Sequence, residues 1–160
     1  MIDKFPLEIK IALFTLHELF GSEIIIGGSI SDYLNICGEV EYFSPNDVDI
    51  VVTPDQLTQL RGYFHVREAK SVYRQNTISE HFLSIGGCYV DVFVSELSMV
   101  EQESTIYSEG MWDIRHNTTN ERIKMCKKSL ELPIEEFRKR KAMKKLTFYK
   151  IEENRIKINN

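Results

Sequence analysis

The stretch Ile24-Ile-Ile-Gly-Gly-Ser-Ile-Ser-Asp32 joins a short apolar run to two glycines and to the start of a helical pattern. Gly38 stands where this helix would end, after apolar residues that recur at helical spacing: Ile30, Tyr33, Leu34 and Cys37. The stretch therefore predicts a strand, a glycine turn and a helix. Gly27 and Gly28 let a ligand approach the backbone closely, and the N–H groups at the helix start, with the Ser29 hydroxyl, are suited to a triphosphate.

A second stretch, Asp47-Val-Asp-Ile-Val-Val52, places two acids at the start of an apolar run. Because side chains alternate between the two faces of a strand, we expect Asp47 and Asp49 on one side and Val48 and Ile50 in the apolar layer. Two carboxylates side by side near a core are unfavourable unless a positive group neutralises them, and an oxygen-ligated Mg²⁺ fits that need. The alternative is a strand end with solvated acids.

A third acid, Asp91, is the only charge in the apolar run Tyr89-Val-Asp-Val-Phe-Val94. If its strand neighbours the one that begins at Asp47, the three aspartates form a single cluster. Such a cluster suits two metal ions about 3.5 to 4 Å apart, an arrangement that stabilises the attacking and leaving oxygens in phosphoryl or nucleotidyl transfer. The alternative for Asp91 is a core aspartate bonded to an arginine or to the backbone.

From about Ile24 to Val94, the order of these segments resembles the nucleotidyltransferase superfamily, which has the polymerase-beta-like fold. The family pattern is an apolar strand, a Gly-Gly or Gly-Ser that opens a helix, an Asp-x-Asp flanked by apolar residues, and a later strand with one acid. Here these segments are Ile26-Gly-Gly-Ser29, Asp47-Val-Asp49 and Asp91.

The resemblance implies a role for each of these residues. Asp47 and Asp49 would hold the metal ions, and Asp91 would complete the site and help to activate the acceptor hydroxyl. The phosphates of a nucleoside triphosphate would rest on the glycine turn formed by Gly27, Gly28 and Ser29.

A narrower likeness links the chain to the bacterial poly(A) polymerase and CCA-adding class. Gly27-Gly-Ser-Ile-Ser-Asp32 is similar to the Gly-Gly-x-x-Arg-Asp signature, with Ser31 in place of the arginine, which makes Asp32 a candidate nucleotide-binding residue. Arg115-His-Asn-Thr-Thr-Asn120 is similar to the Arg-Asp-Phe-Thr-x-Asn motif and implies that Arg115 and Asn120 recognise the ribose and phosphates. The alternative for Asp32 is a solvated residue or one that supports the turn.

The fold class predicted from the whole pattern is α+β: a nucleotidyltransferase-like mixed sheet flanked by helices, with a basic helix near the C-terminus. We expect a catalytic core over 1–110 and a basic, mostly helical extension over 111–160 packed on the same unit. The individual elements expected are a helix over 5–20 ended by Gly21, a loop over 39–46, a helix from Thr53 to about Gly62, a strand over 63–68, a hairpin over 79–95 around Gly86-Gly87, and a helix from Pro133.

The composition is that of a globular protein: 160 residues, 42% hydrophobic, with four prolines. No apolar run approaches the roughly 20 residues that span a bilayer, and the first residues do not resemble a secretory leader, so we expect a cytoplasmic protein without membrane contact. Three cysteines, an odd and scattered set, predict buried thiols rather than disulfides or a zinc site: Cys37, Cys88 and Cys126.

Charge is distributed unevenly along the chain. Residues 1–110 hold 6 Lys/Arg and 17 Asp/Glu, a net charge of −11, whereas residues 111–160 hold 14 and 7, a net charge of +7. The acidic part suits divalent cations and the basic part suits phosphates, or else the two parts neutralise each other by packing. The basic run Arg138-Lys-Arg-Lys141, with Lys144 and Lys145, is either a solvated helix face or a contact for nucleic acid or triphosphate.

Together these features predict a nucleotidyltransferase that depends on Mg²⁺ or Mn²⁺ in a two-ion site and takes an NTP as substrate. The acceptor would be an RNA end bound through the basic C-terminal region, a protein or a small hydroxylated molecule. The sequence does not indicate which acceptor or which base is used, or the oligomeric state. Two alternatives remain open. One is a non-catalytic member of the fold that binds a nucleotide or RNA, and the other is a protein in which acidic and basic parts of two chains pair.

Overall fold

The computed structural model describes residues 2–36, 45–73, 76–95, 102–132 and 135–159. After a single 3₁₀ turn at Ile2–Lys4, the helices of these segments are α1 (Leu7–Phe20), α2 (Gly28–Asn35), α3 (Pro54–Tyr63), α4 (Thr119–Glu131) and α5 (Glu136–Asn159). The strands are β1 (Ile25–Ile26), β2 (Val48–Val52), β3 (Arg67–Tyr73), β4 (Asn76–Ile85), β5 (Cys88–Val94), β6 (Ser104–Glu109) and β7 (Trp112–Asn117).

The strands form a seven-stranded sheet in the order β3-β4-β5-β2-β1-β7-β6. β2 pairs with β5 and β1 with β7 in parallel, and the other neighbouring strands are antiparallel. The predicted mixed sheet is therefore confirmed. The glycine turn after β1 and the acids of β2 and β5 come from three adjacent strands at the centre of this sheet.

One face of the sheet carries the main core. On β2 the side chains of Val48, Ile50 and Val52 are at most 1% exposed, and they share one apolar cluster with the inner faces of α1, α2 and α3. Alternation along a strand then places Asp49 on the opposite face. The helices hold one side of the sheet against the core and leave the acids on the other.

Two local signals of the sequence are confirmed. α3 begins with a capping box, in which the Thr53 hydroxyl accepts a hydrogen bond from the Gln56 N–H and the Gln56 side chain accepts one from the Thr53 N–H. The β4–β5 hairpin turns at Gly86 and Gly87, whose φ angles of 58° and 85° are those that a tight hairpin turn requires.

Two stretches differ from the expectation. The strand predicted over 63–68 is found further along the chain, as β3 (Arg67–Tyr73), and α3 extends to Tyr63. The polar sequence of β3 has no apolar alternation that would mark its ends, so its backbone pairing with β4 defines the strand. β7 and α4 lie in the stretch 111–160, which was expected to be mostly helical, so α4 agrees with that expectation and the strand β7 does not. β6 had no individual prediction, and it shows little burial contrast between its faces. Gly38, the loop residues 39–44 and Pro133 lie outside the described residues.

The division at residue 110 stays a prediction. β7 lies within the sheet, and α4 and α5 pack on each other around a second small cluster of Cys126, Ala142 and Leu146.

Cys88 and Cys126 are buried free thiols, as expected, whereas Cys37 is not among the described residues. In the part of the chain that the structure describes, no helix combines the length and apolar character needed to cross a membrane.

Candidate active site

Asp49 and Asp91 are direct neighbours on the paired parallel strands β2 and β5. Both side chains therefore lie on the face opposite the core. Asp47 precedes β2 in a bend, and its negative charge acts on both of these acids. The condition that the sequence analysis set for a cluster, that these two strands are neighbours, is met. The structure thus places two carboxylates side by side on neighbouring strands, with a third acid just before β2.

Two of these acids, Asp49 and Asp91, have raised pKa values. Burial, followed by the charges of Asp47 and Asp91, raises the pKa of Asp49 to about 6, against a smaller lowering by Arg122 and Lys145. Burial also raises the pKa of Asp91. The charge of Asp47 adds to that rise, whereas a hydrogen bond from Tyr89 and the charge of Arg138 oppose it. An added cation would relieve this repulsion.

The chemistry of the donors fits a divalent cation, because carboxylate oxygens are the ligands that Mg²⁺ and Mn²⁺ take in proteins. Within the described segments, however, no three His, Cys, Asp or Glu side chains are arranged to hold a metal ion as they stand. Binding a cation there would require the carboxylates to turn towards each other.

The glycine turn lies directly against Asp49. The Gly27 N–H donates to the Asp49 carbonyl oxygen at 2.8 Å, which continues the sheet one residue beyond β1. Gly28 has a φ of +56°, and a Cβ atom on it would overlap the Asp49 carboxylate. A glycine is therefore required at this position. The first turn of α2, with half-buried Ser29, begins beside the acids.

Asn117 is a site residue that sequence reasoning missed. It ends β7, and its Oδ1 would lie 3.3 Å from a Cβ at Gly27. Its side-chain amide donates to Gln102, and its backbone carbonyl accepts from the Ser31 hydroxyl at 2.8 Å. Among the described residues, Asn117 Oδ1 is the buried side-chain atom that has no hydrogen-bond partner. The sequence signal for this residue was that Asn117 stands where the Arg-Asp-Phe-Thr-x-Asn motif has its phenylalanine.

Asp32 lies in a buried ion-pair network rather than on an accessible surface. Arg122 binds it with two hydrogen bonds, at 2.7 and 3.1 Å, and Lys145 and the Tyr149 hydroxyl also donate to it. Burial alone would raise the pKa of Asp32, but the charges and hydrogen bonds of Arg122 and Lys145 lower it. Because Asp32 is 0% exposed, a nucleotide cannot reach its carboxylate in this arrangement.

The ion-pair network of Asp32 joins three helices. Asp32 is on α2, one turn after the glycine turn, whereas Arg122 is on α4 and Lys145 and Tyr149 are on α5. One carboxylate therefore ties the helix that begins at the acids to both C-terminal helices. The positive charges of Arg122 and Lys145 also act on Asp49, where they lower its pKa.

The structure does not bring Arg115 and Asn120 to the acids. Arg115 is on β7, which β1 separates from β2, and its guanidinium donates to the Ser22 carbonyl at 2.8 Å and to the Ser104 hydroxyl at 3.2 Å. Asn120 is exposed in the first turn of α4 and lines an open groove together with α4 lysines and Glu153. The spacing of the Arg-Asp-Phe-Thr-x-Asn motif is present in the sequence, but the side chains of Arg115 and Asn120 do not lie at the acids.

Comparisons with known proteins bear on the fold. No protein-family model matches the sequence, and a search of the curated proteins gives no match. An antigenic nucleotidyltransferase-like protein from Paracoccidioides brasiliensis is similar in structure, with a TM-score of 0.53 and 14% identity over 89% of this chain and 75% of that chain. The aminoglycoside nucleotidyltransferase ANT(2″)-Ia, solved with adenylyl-2″-tobramycin, is similar at a TM-score of 0.53 and 12% identity, over 90% of this chain and 89% of that chain.

These similarities confirm the predicted fold class. The chain has the mixed α+β fold of nucleotidyltransferase-like proteins, with its acids on the central strands. The narrower likeness to the poly(A) polymerase and CCA-adding class stays a prediction.

Proposed function

We propose that the protein is a Mg²⁺-dependent nucleotidyltransferase, which transfers a nucleoside monophosphate from an NTP to a hydroxyl acceptor. The observation that carries this proposal is the placement of the neighbouring acids Asp49 and Asp91 beside the turn at Gly27 and Gly28. It puts backbone suited to phosphate next to carboxylates with raised pKa values. The fold shared with nucleotidyltransferase-like proteins supports the same class of reaction.

In the proposed reaction, the acceptor oxygen forms a bond to the α-phosphorus, and the bond from that phosphorus to the bridging oxygen of the β-phosphate breaks. The proton of the acceptor hydroxyl passes to the carboxylate of Asp91, and pyrophosphate leaves with the electron pair of the broken bond. Asp91 suits the role of base because, of the two paired acids, it is on the strand farther from the glycine turn.

Asp47, Asp49 and Asp91 are the residues that would hold Mg²⁺ or Mn²⁺. A pair of such ions, when bound, stabilises the charge on the attacking and leaving oxygens. The rest of the work falls to the chain itself. Gly27, Gly28 and Ser29 would bind the triphosphate through backbone N–H groups and the serine hydroxyl, at the positive end of the α2 dipole. The proposal assigns no nucleotide contact to the remaining candidates: Asp32, Arg115 and Asn120.

The test is an assay of pyrophosphate release and label transfer from radiolabelled NTPs to a panel of hydroxyl acceptors with Mg²⁺. We expect Asp49→Asn and Asp91→Asn each to lose at least about 100-fold in rate. Asp113→Asn, a change of an exposed acid on β7, is the matched control and should keep the wild-type rate. Transfer by Asp49→Asn at the wild-type rate would refute the assigned site.

One observation favours a second candidate, a non-catalytic protein that binds a nucleotide or RNA. The described aspartates do not form a ready-made three-ligand metal site. Calorimetric titration with Mg²⁺ and an NTP separates the two functions. Nucleotide binding that requires the metal supports the enzyme, whereas RNA binding that is indifferent to Mg²⁺ and sensitive to salt supports the binding protein.

A further inference from the structure

Three aromatic side chains surround Asp91 on the open face of the sheet, and the proposed reaction gives them no role. Tyr89 and Phe93 stand two residues before and after Asp91 on β5, so all three side chains lie on one face. Phe82 is the partner of Asp91 on β4, and its ring stacks on that of Tyr89, with centroids 5.6 Å apart and planes at 24°. We call Phe82, Tyr89 and Phe93 the aromatic platform.

The aromatic platform is accessible. Tyr89 is 46% and Phe93 is 55% exposed, although residues on the other face of the same strand, Val90 and Val92, are at most 4% exposed. Large apolar side chains exposed side by side next to a candidate catalytic acid are typical of a binding surface. Tyr89 is also coupled to the acid, since it hydrogen-bonds the Asp91 side chain.

The platform lies on the acceptor side of the site. In the strand order, β1 with the glycine turn adjoins β2 on one side, whereas β5 adjoins it on the other, with β4 beyond β5. Phosphoryl transfer places the attacking and leaving oxygens roughly in line, on opposite sides of the phosphorus. If the triphosphate rests on Gly27 and Gly28, the attacking hydroxyl therefore enters from β5, over the aromatic rings. This step depends on the proposed function.

Charge indicates what kind of acceptor fits. The first turns of α5 expose a run of basic residues: Arg138, Arg140, Lys141 and Lys144. The first of these residues, Arg138, is close enough to Asp91 for its positive charge to act on that carboxylate. Stacking rings beside a basic surface are the combination that binds single-stranded nucleic acid, in which bases stack and phosphates meet cations.

We infer that the acceptor is the 3′ end of a single-stranded polynucleotide, with terminal bases stacked on Tyr89 and Phe93 and backbone phosphates on the basic start of α5. The 3′ hydroxyl oxygen then attacks the α-phosphorus of the NTP, its proton passes to Asp91, and pyrophosphate leaves. The polynucleotide gains one nucleotide, and the product has a new 3′ hydroxyl. RNA and DNA share this chemistry.

The test measures binding without catalysis. Fluorescence anisotropy follows labelled oligonucleotides of about 12 nucleotides, as single-stranded RNA, single-stranded DNA and duplex, in the absence of NTP. We expect Phe93→Leu, which keeps an apolar side chain and removes the ring, to weaken single-strand binding about tenfold or more. Phe93→Tyr keeps the ring and should bind like the wild type. Tyr63→Leu, at an aromatic residue 65% exposed on α3, is the matched control and should change nothing.

Each outcome decides the inference. Tighter binding of single strands than of duplex, lost in Phe93→Leu and kept in Phe93→Tyr, supports it, and the RNA and DNA arms identify the polynucleotide. Equal binding by Phe93→Leu and wild type overturns it, as does stronger binding of duplex. Transfer to small hydroxylated molecules with no such binding overturns the inference and leaves the proposed function standing. Ring-dependent binding with no transfer to any acceptor removes the proposed function and keeps the platform as a binding site.

Discussion

Gly28 and Asp49 pack against each other so closely that no side chain fits at position 28. A Cβ atom there would overlap the Asp49 carboxylate, and the φ of +56° at Gly28 is one that other residues adopt only at a cost. The start of α2 is therefore fixed beside the carboxylate by the lack of a side chain. A phosphate on this helix start and a cation on Asp49 would be immediate neighbours.

This contact predicts the effect of Gly28→Ala. The variant should lose at least about 2 kcal/mol of unfolding free energy, from the left-handed backbone and the overlap with Asp49, and most of its transferase activity. Gly62→Ala is the matched control, because Gly62 lies within α3 with nothing near its absent Cβ. That change should stabilise the protein by about 0.5 to 1 kcal/mol. Urea unfolding curves measure both, and equal stability of the two variants would contradict the packing described.

The raised pKa of Asp49 predicts how stability depends on pH. Since that pKa is about 6 in the folded protein and 3.8 in its unshifted state, the folded protein retains a proton between these values that the unfolded chain has released. The free energy of unfolding therefore falls as the pH rises through this window and remains lower above it. Asp49→Asn removes the loss, so the variant should exceed the wild type in stability at pH 7.5, by at most about 3 kcal/mol.

Thermal unfolding in the presence of a chelator measures this difference. The two proteins should converge in melting temperature as the pH falls below the unshifted pKa of 3.8, where Asp49 becomes protonated in both the folded and the unfolded state. A variant less stable than wild type at pH 7.5, or a difference that does not change with pH, would show that Asp49 is not a strained carboxylate.

The buried network at Asp32 predicts a large structural effect. Asp32→Asn removes the buried carboxylate that Arg122 binds with two hydrogen bonds and should cost about 3 to 5 kcal/mol of stability. Tyr149→Phe, which removes one hydrogen bond to the carboxylate, should cost about 1 to 3 kcal/mol and provides a measurement if the first variant does not fold. Glu135→Gln breaks an exposed pair with Arg138 and should cost less than about 1 kcal/mol. Equal effects of all three changes would mean that the network is not a buried ion cluster.

Divalent cations should stabilise the folded protein through the acids. A ligand that binds only the folded state raises the unfolding free energy by an amount that grows with its concentration. Differential scanning fluorimetry should show that Mg²⁺ or Mn²⁺ raises the melting temperature of the wild type and of Asp113→Asn, and that it does not in Asp49→Asn. An equal rise in all three proteins would indicate that the cation binds elsewhere.

The central fold was predictable because its signals are local. The apolar alternation of β2 and β5, the capping residues of α3 and the Gly86-Gly87 turn each define an element within a few residues. β1 is only two residues long, and its place between β2 and β7 depends on pairing with distant segments. β3 and β6 are the two outer strands of the sheet, and there the backbone ladder rather than the side-chain pattern defines the strand.

The candidate site was predictable where residue type and strand period decide it, and not where a distant partner decides it. The apolar runs around Asp49 and Asp91 predict that each acid lies on a strand, but the pairing of these two strands depends on distant segments and was only a condition in the sequence analysis. Asp32 lies on a helix, and nothing near it in the sequence predicts that its partner is Arg122, 90 residues later. Asn117 likewise lies beside Gly27 only because β7 pairs with β1, and this pairing joins segments that are far apart in the sequence.

The most direct test of the central claim is a crystal structure with Mn²⁺ and a non-hydrolysable NTP, read through the anomalous signal of the metal. The account predicts manganese bound by Asp49 and Asp91, with the triphosphate on the backbone N–H groups of Gly28 and Ser29. Manganese bound away from these aspartates, or a nucleotide bound elsewhere on the protein, would contradict it.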